Sequence, residues 1–275
     1  MNRQFIQQMG LQYGASAVGI LRSASFLPLL DAPQRERLSR MERPPESVLI
    51  AAFPYYAGQD PGNIALYARG EDYVQANRRR LADIGQALAL GWFFAAGNGW
   101  PLPVVRAAAL AGVGKLGLHG LLIVPPYGSY VTLGALFTDT PLPETLSESA
   151  SCIRCGACIR ACPVGAPEVR GGTGYLQKER CLSYITQKRE ALAPAEEELV
   201  REAETAVGCD LCQRACPENR NPALSQLPEF TTALLPDLTL TQAEMLNLND
   251  RAYGGRRLSP LLRNLRLREK PPPPE

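Results

Sequence analysis

An apolar run fills Ser47–Phe53 (SVLIAAF) and stops at Pro54. A short, β-rich run closed by proline predicts a buried strand. Ahead of it, residues 3 to 13 place Phe5, Met9 and Leu11 at helix-compatible spacing, and Ala17-Val18-Gly19-Ile20 reads as a strand. From Tyr73 to Leu90 apolar and polar positions alternate at helical spacing, which puts Arg78, Arg79 and Arg80 on a solvated face. Arg106 to Ala111 is Ala-rich and helix-prone. Leu121–Val124, a Pro-Pro-Tyr-Gly turn and Tyr130–Phe137 predict a strand–turn–strand. Strands mixed with helices to about residue 145 predict an α/β or α+β domain. Later, the acidic, Ala-rich stretch from Ala193 to Ala206 reads as an inserted helix. Leu238–Leu248 and Leu258–Leu267 read as helices that pack back onto the body, ahead of an extended stub, Pro271 to Pro274.

Composition narrows the class. A chain of 275 residues suits two domains, and 45% hydrophobic with 20% charged residues describes a globular protein with a sizeable core. A net charge of +2 supplies no strong field for nucleic acid or anionic lipid. No apolar run approaches the roughly 18 residues that suggest a membrane span, and the N-terminus carries no signal pattern. The expected location is the cytoplasm, with no membrane partner.

Cysteine spacing carries the chemistry. All 8 cysteines lie between Cys152 and Cys216. The first run, Cys152-x2-Cys155-x2-Cys158-x3-Cys162-Pro163, has the bacterial ferredoxin spacing, in which the fourth cysteine ligates the neighbouring [4Fe–4S] cube. Cys181, then Cys209-x2-Cys212-x3-Cys216-Pro217, completes the set. On that rule Cys152, Cys155, Cys158 and Cys216 hold one cluster, and Cys162, Cys181, Cys209 and Cys212 hold the other. Disulfides belong to small secreted domains, and two zinc sites fit the x2-x2-x3 step and the Cys-Pro endings less well. A simple ferredoxin has no insert like the one between Cys181 and Cys209.

Other motifs are weaker. Gly112-x-Gly114-x-x-Gly117 matches a dinucleotide fingerprint, with Asp139 about twenty residues on, but a helix-like stretch precedes it and a hairpin follows. A positive-φ turn or a close approach to a flat cofactor suits it better. His119 is the only histidine, either structural or a proton donor beside a cofactor. Tyr67, Asp72 and Tyr73 form a polar–aromatic group in a glycine-containing loop, and Ser129 lies in the Tyr127–Tyr130 turn.

From Cys152 to Asn219, CIRCGACIRACPVGA, RCLSYIT and GCDLCQRACPEN resemble the epoxyqueuosine reductase family and, more distantly, the reductive dehalogenases. Upstream, LYARGEDY (Leu66–Tyr73) and the segment Ala111–Thr138 fall in the family's order. The resemblance implies a nitroreductase-like domain that holds base-off cobalamin, fed by two [4Fe–4S] clusters, and reduction of an epoxide on a modified tRNA anticodon base. The family's Asp-Tyr-His reads Asp72-Tyr73-Val74 here, and its Gly-Lys-Asn or Gly-Lys-His reads Gly117-Leu118-His119. Its proton-donating aspartate falls near Asn98, and its Glu-Arg pair reads Val104-Val105. The family's HEAT-like C-terminal region lies beyond the end of this sequence. With these losses tRNA is not the expected substrate.

The expectation is an α+β protein in three parts: a nitroreductase-like α/β domain over 1–147, a double-cluster ferredoxin-like domain over 148–222, and a helical extension over 223–275. Tyr73, Asn98 and His119 are the catalytic candidates. Asp72, Tyr73, Gly112, Gly114, Gly117, His119 and Ser129 are the candidates for a cofactor wall, with cobalamin the cofactor that the resemblance implies. An external low-potential donor of ferredoxin or flavodoxin type would supply electrons for an unknown small molecule or partner enzyme. The alternative is a two-cluster electron carrier without cobalamin.

Overall fold

The computed structural model describes residues 1–58, 61–147 and 151–269; the Pro271–Pro274 stub lies outside them. In chain order its first half has α1 (Arg3–Gln12), β1 (Ala17–Arg22), α2 (Ser23–Phe26), α3 (Ala32–Ser39), β2 (Ser47–Pro54) and α4 (Tyr73–Ala87). There follow β3 (Phe93–Ala96), α5 (Val104–Leu110), β4 (Lys115–Leu116), β5 (Leu122–Ile123) and β6 (Val131–Thr138). The second half contains α6 (Ala157–Arg160), β7 (Pro167–Arg170), β8 (Thr173–Leu176), α7 (Leu182–Ile185), α8 (Pro194–Glu202) and α9 (Leu211–Arg214). Three C-terminal helices close the chain: α10 (Pro228–Thr231), α11 (Leu240–Met245) and α12 (Leu258–Glu269).

The central sheet has the order β1-β2-β6-β3, with every pair antiparallel. Alternate side chains of β2 divide between two cores, as a period of two requires. Val48, Ile50 and Ala52 face Phe26, Leu38, Ala107 and Ala108; Leu49, Ala51 and Phe53 face Ile6, Ala76, Leu81 and Ile84. Both faces are therefore covered by helix, and that is why SVLIAAF has no polar alternation. Leu49, Ile50 and Phe53 are fully buried. Each such side chain contributes about 1.5–3 kcal/mol of transfer free energy.

Local chemistry explains the ends. Asn2 caps α1 by accepting from Phe5 N, and Asp72 caps α4 by accepting from Val74 N. Asp31 and Gln34 close a capping box on α3, with Pro33 in its first turn. The hydrophobic pattern indicated neither α3 nor β3.

Two expectations are corrected. Leu122–Ile123 pairs with Lys115–Leu116, whereas β6 pairs with β2 and β3, so no hairpin joins residues 121–124 to 130–137. The turn forms, with Val124 N donating to Gly128 O at 2.8 Å, but it leads into a different sheet. Arg80 is not on the solvated face: it donates to Tyr13 O at 2.9 Å and to Glu229 Oε2 at 2.6 Å. Arg78 and Arg79 are exposed.

The second half is stitched into the first at several places. Ala65 N donates to Val207 O (2.9 Å) and Ala206 N to Asn63 O (2.6 Å), while Ser225 N donates to Tyr56 O (2.7 Å). The C-terminal helices pack back as expected, with Leu238, Ala243, Tyr253, Leu261 and Leu265 gathered on Ile64, Ala68, Ala206 and Val207. Asn264, fully buried, donates to Thr186 O and Ala206 O, both at 2.7 Å.

Candidate functional site

Each Cys-x2-Cys turn leads into a one-turn helix, α6 carrying Cys158 and α9 carrying Cys212, and α6 packs on α9. Before α6, Arg154 and Gly156 take left-handed conformations, φ 57° and 73°, which fold the first loop tightly. After each helix the chain turns away through Cys162-Pro163 or Cys216-Pro217.

The thiols sort into two groups by mutual influence. Burial is the main reason the Cys158 and Cys216 thiols are raised; beyond burial, Cys158 senses Cys216 and Cys152, and Cys216 senses Cys152 and Cys155. Burial likewise raises Cys181, lifts Cys209 to about 11 and pushes Cys212 higher still. These three sense one another or Cys162, and Cys212 also senses Cys158, so the groups abut. Among the described residues, no three His, Cys, Asp or Glu side chains are placed to hold a single metal ion. In an iron–sulfur cube each thiolate meets its own iron, so the donors stand apart.

A cavity of about 420 Å³ lies between the sheet domain and the second group. Cys181, Cys209 and Cys212 line it together with Tyr67, Tyr73, Asn98, His119 and Ser129, and Val104, Val105, Val131 and Leu133 supply its apolar wall. A larger groove, about 740 Å³, runs beside α2 and α3, but Arg35 is its only ionisable lining residue and it carries no cysteine. The chemistry converges on the smaller cavity, and its volume falls within the range of cofactor pockets.

Four of the sequence candidates, Tyr73, Asn98, His119 and Ser129, reach this cavity from separate segments. Tyr73 starts α4, and burial raises its phenol above the ordinary value. Asn98 follows Gly97, where a Cβ would lie 1.8 Å from Val74 O, so glycine lets this loop cross α4 directly beside Tyr73. The loop is also held by fully buried Asn77, which donates to Gly97 O at 2.9 Å. Asn98 Oδ1 accepts from Trp100 N (3.2 Å).

His119 sits in the turn between β4 and β5. Its Nδ1 accepts from Leu121 N at 3.1 Å, while Nε2 is buried without a partner. Burial lowers its pKa to about 4, against an opposing pull from Glu218.

Ser129 is part of a buried network. Gln213 Nε2 donates to Ser129 O, to Ser129 Oγ and to Tyr55 Oη, and Asn219 Nδ2 donates to Ser129 Oγ at 2.8 Å. Tyr55, Gln213 and Asn219 were not singled out from sequence. Gln213 and Asn219 stand in the second cysteine motif, where their spacing resembles filler between ligands.

The remaining candidates lie off the cavity. Asp72 is spent on its cap. A Cβ at Gly112 would meet Ser147, one at Gly114 would meet Ile123 O, and one at Gly117 would lie 2.3 Å from the His119 ring. The glycine segment therefore makes room for its own chain. A helix precedes it, β4 lies within it and β5 follows, and Asp139 pairs with Arg43 at 2.8 Å, so the dinucleotide context is absent.

The arrangement is that of a double-cluster iron–sulfur protein. Residues 151–219 match the 4Fe-4S double cluster binding domain family. An epoxyqueuosine reductase of Lactococcus garvieae is 33% identical over 234 residues, covering 78% of this chain and 65% of that protein. One from Synechococcus sp. (strain RCC307) is 30% identical over 247 residues, covering 85% and 74%. The chain belongs to the epoxyqueuosine reductase family. The crystal structure of a selenomethionine-labelled epoxyqueuosine reductase superposes with a TM-score of 0.78 at 22% identity, over 97% of this chain and 80% of that one. The chain thus spans about two thirds of the Lactococcus relative's length. No helix among the described residues is long and apolar enough to cross a membrane.

Proposed function

We propose that this chain passes single electrons through two [4Fe–4S] clusters to a corrinoid in the 420 Å³ cavity, for reduction of a substrate bound there. The observation that carries the reading is the shared cavity wall: Cys181, Cys209 and Cys212 line one space with Tyr73, Asn98, His119 and Ser129. The sorting of thiols supports Cys152, Cys155, Cys158 and Cys216 as one ligand set and Cys162, Cys181, Cys209 and Cys212 as the other. The residues also fit a corrinoid. The wall is apolar with a few convergent polar groups, and the space has an open side through which a bulky macrocycle would extend.

When bound, the cubes supply one-electron storage at low potential and the corrinoid supplies a strongly reducing cobalt. The protein's own groups position and protonate. Tyr73, kept protonated by burial, holds an O–H on the cavity wall and is the proton source of this reading. His119 stays neutral near pH 7 and so forms part of the wall rather than serving as an acid. Asn98 has its carbonyl engaged with Trp100, which leaves the amide nitrogen to donate toward a substrate.

Electrons would enter at the first ligand set. Cys155 is the exposed cysteine, and Ile153 beside it is 63% exposed. Arg154 and Arg160 flank it, exposed and without carboxylate partners among the described residues. This patch suits an acidic one-electron carrier of ferredoxin or flavodoxin type in the cytoplasm. Val104 and Val105 make the substrate wall apolar, which favours a substrate other than tRNA.

The second reading is a two-cluster electron carrier, favoured by Val74, Leu118 and Asn98, which stand where the family's polar residues fall. Anaerobic reconstitution with iron and sulfide, followed by cobalamin and gel filtration, separates the two. About 8 Fe per chain is expected of two cubes. Co-eluting base-off corrinoid supports the enzyme. Full iron without any corrinoid overturns it and leaves the carrier.

A further inference from the structure

His119 lies on the wall common to two spaces, the 420 Å³ cavity and a small chamber lined by Cys152, Cys155, Cys158 and Cys216. The turn that carries it is fastened to that chamber from both ends of the cluster module. Cys152 N donates to Leu116 O at 3.2 Å, and Lys115 Nζ donates to Glu218 Oε1 at 2.8 Å, two residues beyond Cys216. The ring is 1% exposed.

Its tautomer follows from one bond. Nδ1 accepts the Leu121 amide at 3.1 Å, so in the neutral ring the single proton sits on Nε2. That N–H is buried with no partner in the protein. An unpaired buried donor is destabilising unless something accepts from it. Histidine ligation is not available either, because each set already has four cysteines.

We infer that His119 Nε2–H donates a hydrogen bond to a sulfur of the cluster held by Cys152, Cys155, Cys158 and Cys216. His119 is then a positioning and tuning residue for that cluster. A donor to sulfur stabilises the more negative, reduced state and raises the potential. The inference rests on the two-cluster reading above.

Since this is the only histidine in the chain, one isotope label reports on one ring. The full chain is reconstituted anaerobically with imidazole-labelled ¹⁵N-histidine, reduced, and examined by pulsed EPR. The expected result is ¹⁵N coupling to a reduced cluster whose signal Cys155→Ser also alters. Potentiometry should then show His119→Leu lowering that cluster alone by about 60 mV, a tenfold shift in its one-electron equilibrium, with His119→Gln restoring part of it. Absence of ¹⁵N coupling in the unmutated, iron-replete protein overturns the inference, whatever the variants do. Iron well below two cubes in that same protein would instead sink the reading on which it rests.

Discussion

Gln213 is bonded twice to Ser129, donating from Nε2 to the carbonyl at 2.9 Å and to the hydroxyl at 3.1 Å, across 84 residues of sequence. One side chain thereby joins the second cysteine motif to the turn before β6, with both residues buried. Gln213→Leu leaves the Ser129 carbonyl and the Tyr55 hydroxyl without the Gln213 donor, while Ser129 Oγ keeps Asn219. It should cost about 2–3 kcal/mol, read as a lower urea midpoint in the cluster-loaded chain. Ser129→Ala, which keeps the carbonyl bond, should cost about 1 kcal/mol.

Arg80 and Glu229 form a second tie, 2.6 Å apart and only 17% and 15% exposed. Burial pulls the Glu229 carboxyl up, but the hydrogen bond and charge of Arg80 more than reverse it, so the folded pKa lies below the ordinary value. A depressed carboxylate stabilises fully above its unfolded pKa, about 4.3, and loses that contribution as pH falls through the folded value. Glu229→Gln should therefore cost about 2 kcal/mol at neutral pH. The difference from the parent chain should vanish in acid, as urea titrations on either side of that range would reveal.

The two ligand sets predict a crossed phenotype. Cys162→Ser should damage the cluster that Cys209→Ser damages, although Cys162 stands next in sequence to Cys158. Iron in either variant should fall from about 8 toward 4 per chain. Low-temperature EPR should show the same surviving signal in both. Loss of different signals would refute the crossing.

At the proposed entry surface, Arg154→Glu combined with Arg160→Glu should slow reduction by an acidic flavodoxin about tenfold at low ionic strength. The gap should narrow as salt rises beyond about 0.15 M, where the Debye length is about 8 Å. A rate that ignores both substitutions and salt would remove this surface from consideration.

Sequence legibility followed the strength of local rules. The cysteine spacing announced two cubes because the x2 and x3 steps are set by the geometry of the cluster itself. SVLIAAF announced a buried strand because no polar residue interrupts it, and α4 showed its period clearly. Arg80 was misplaced because three adjacent arginines look alike in sequence; only the fold puts Glu229 beside the third. The strand–turn–strand failed for a similar reason. Its turn is local chemistry, but the partner of β6 is β2, some eighty residues earlier. Tyr55, Gln213 and Asn219 were invisible, since a buried amide network has no periodicity and each residue is ordinary alone.

The stitches at Ala65–Val207, Asn63–Ala206 and Tyr56–Ser225 tie the sheet domain to residues before and after the last cysteines. A seam sewn on both sides of its opening does not swing. Domains joined by a single linker can vary the gap between their redox centres; here a change of gap would require breaking backbone pairs and opening the core around Ile64 and Leu261. In the proposed reading the distance between the centres is then set by the fold, and turnover depends on potentials and on the exchange of partners.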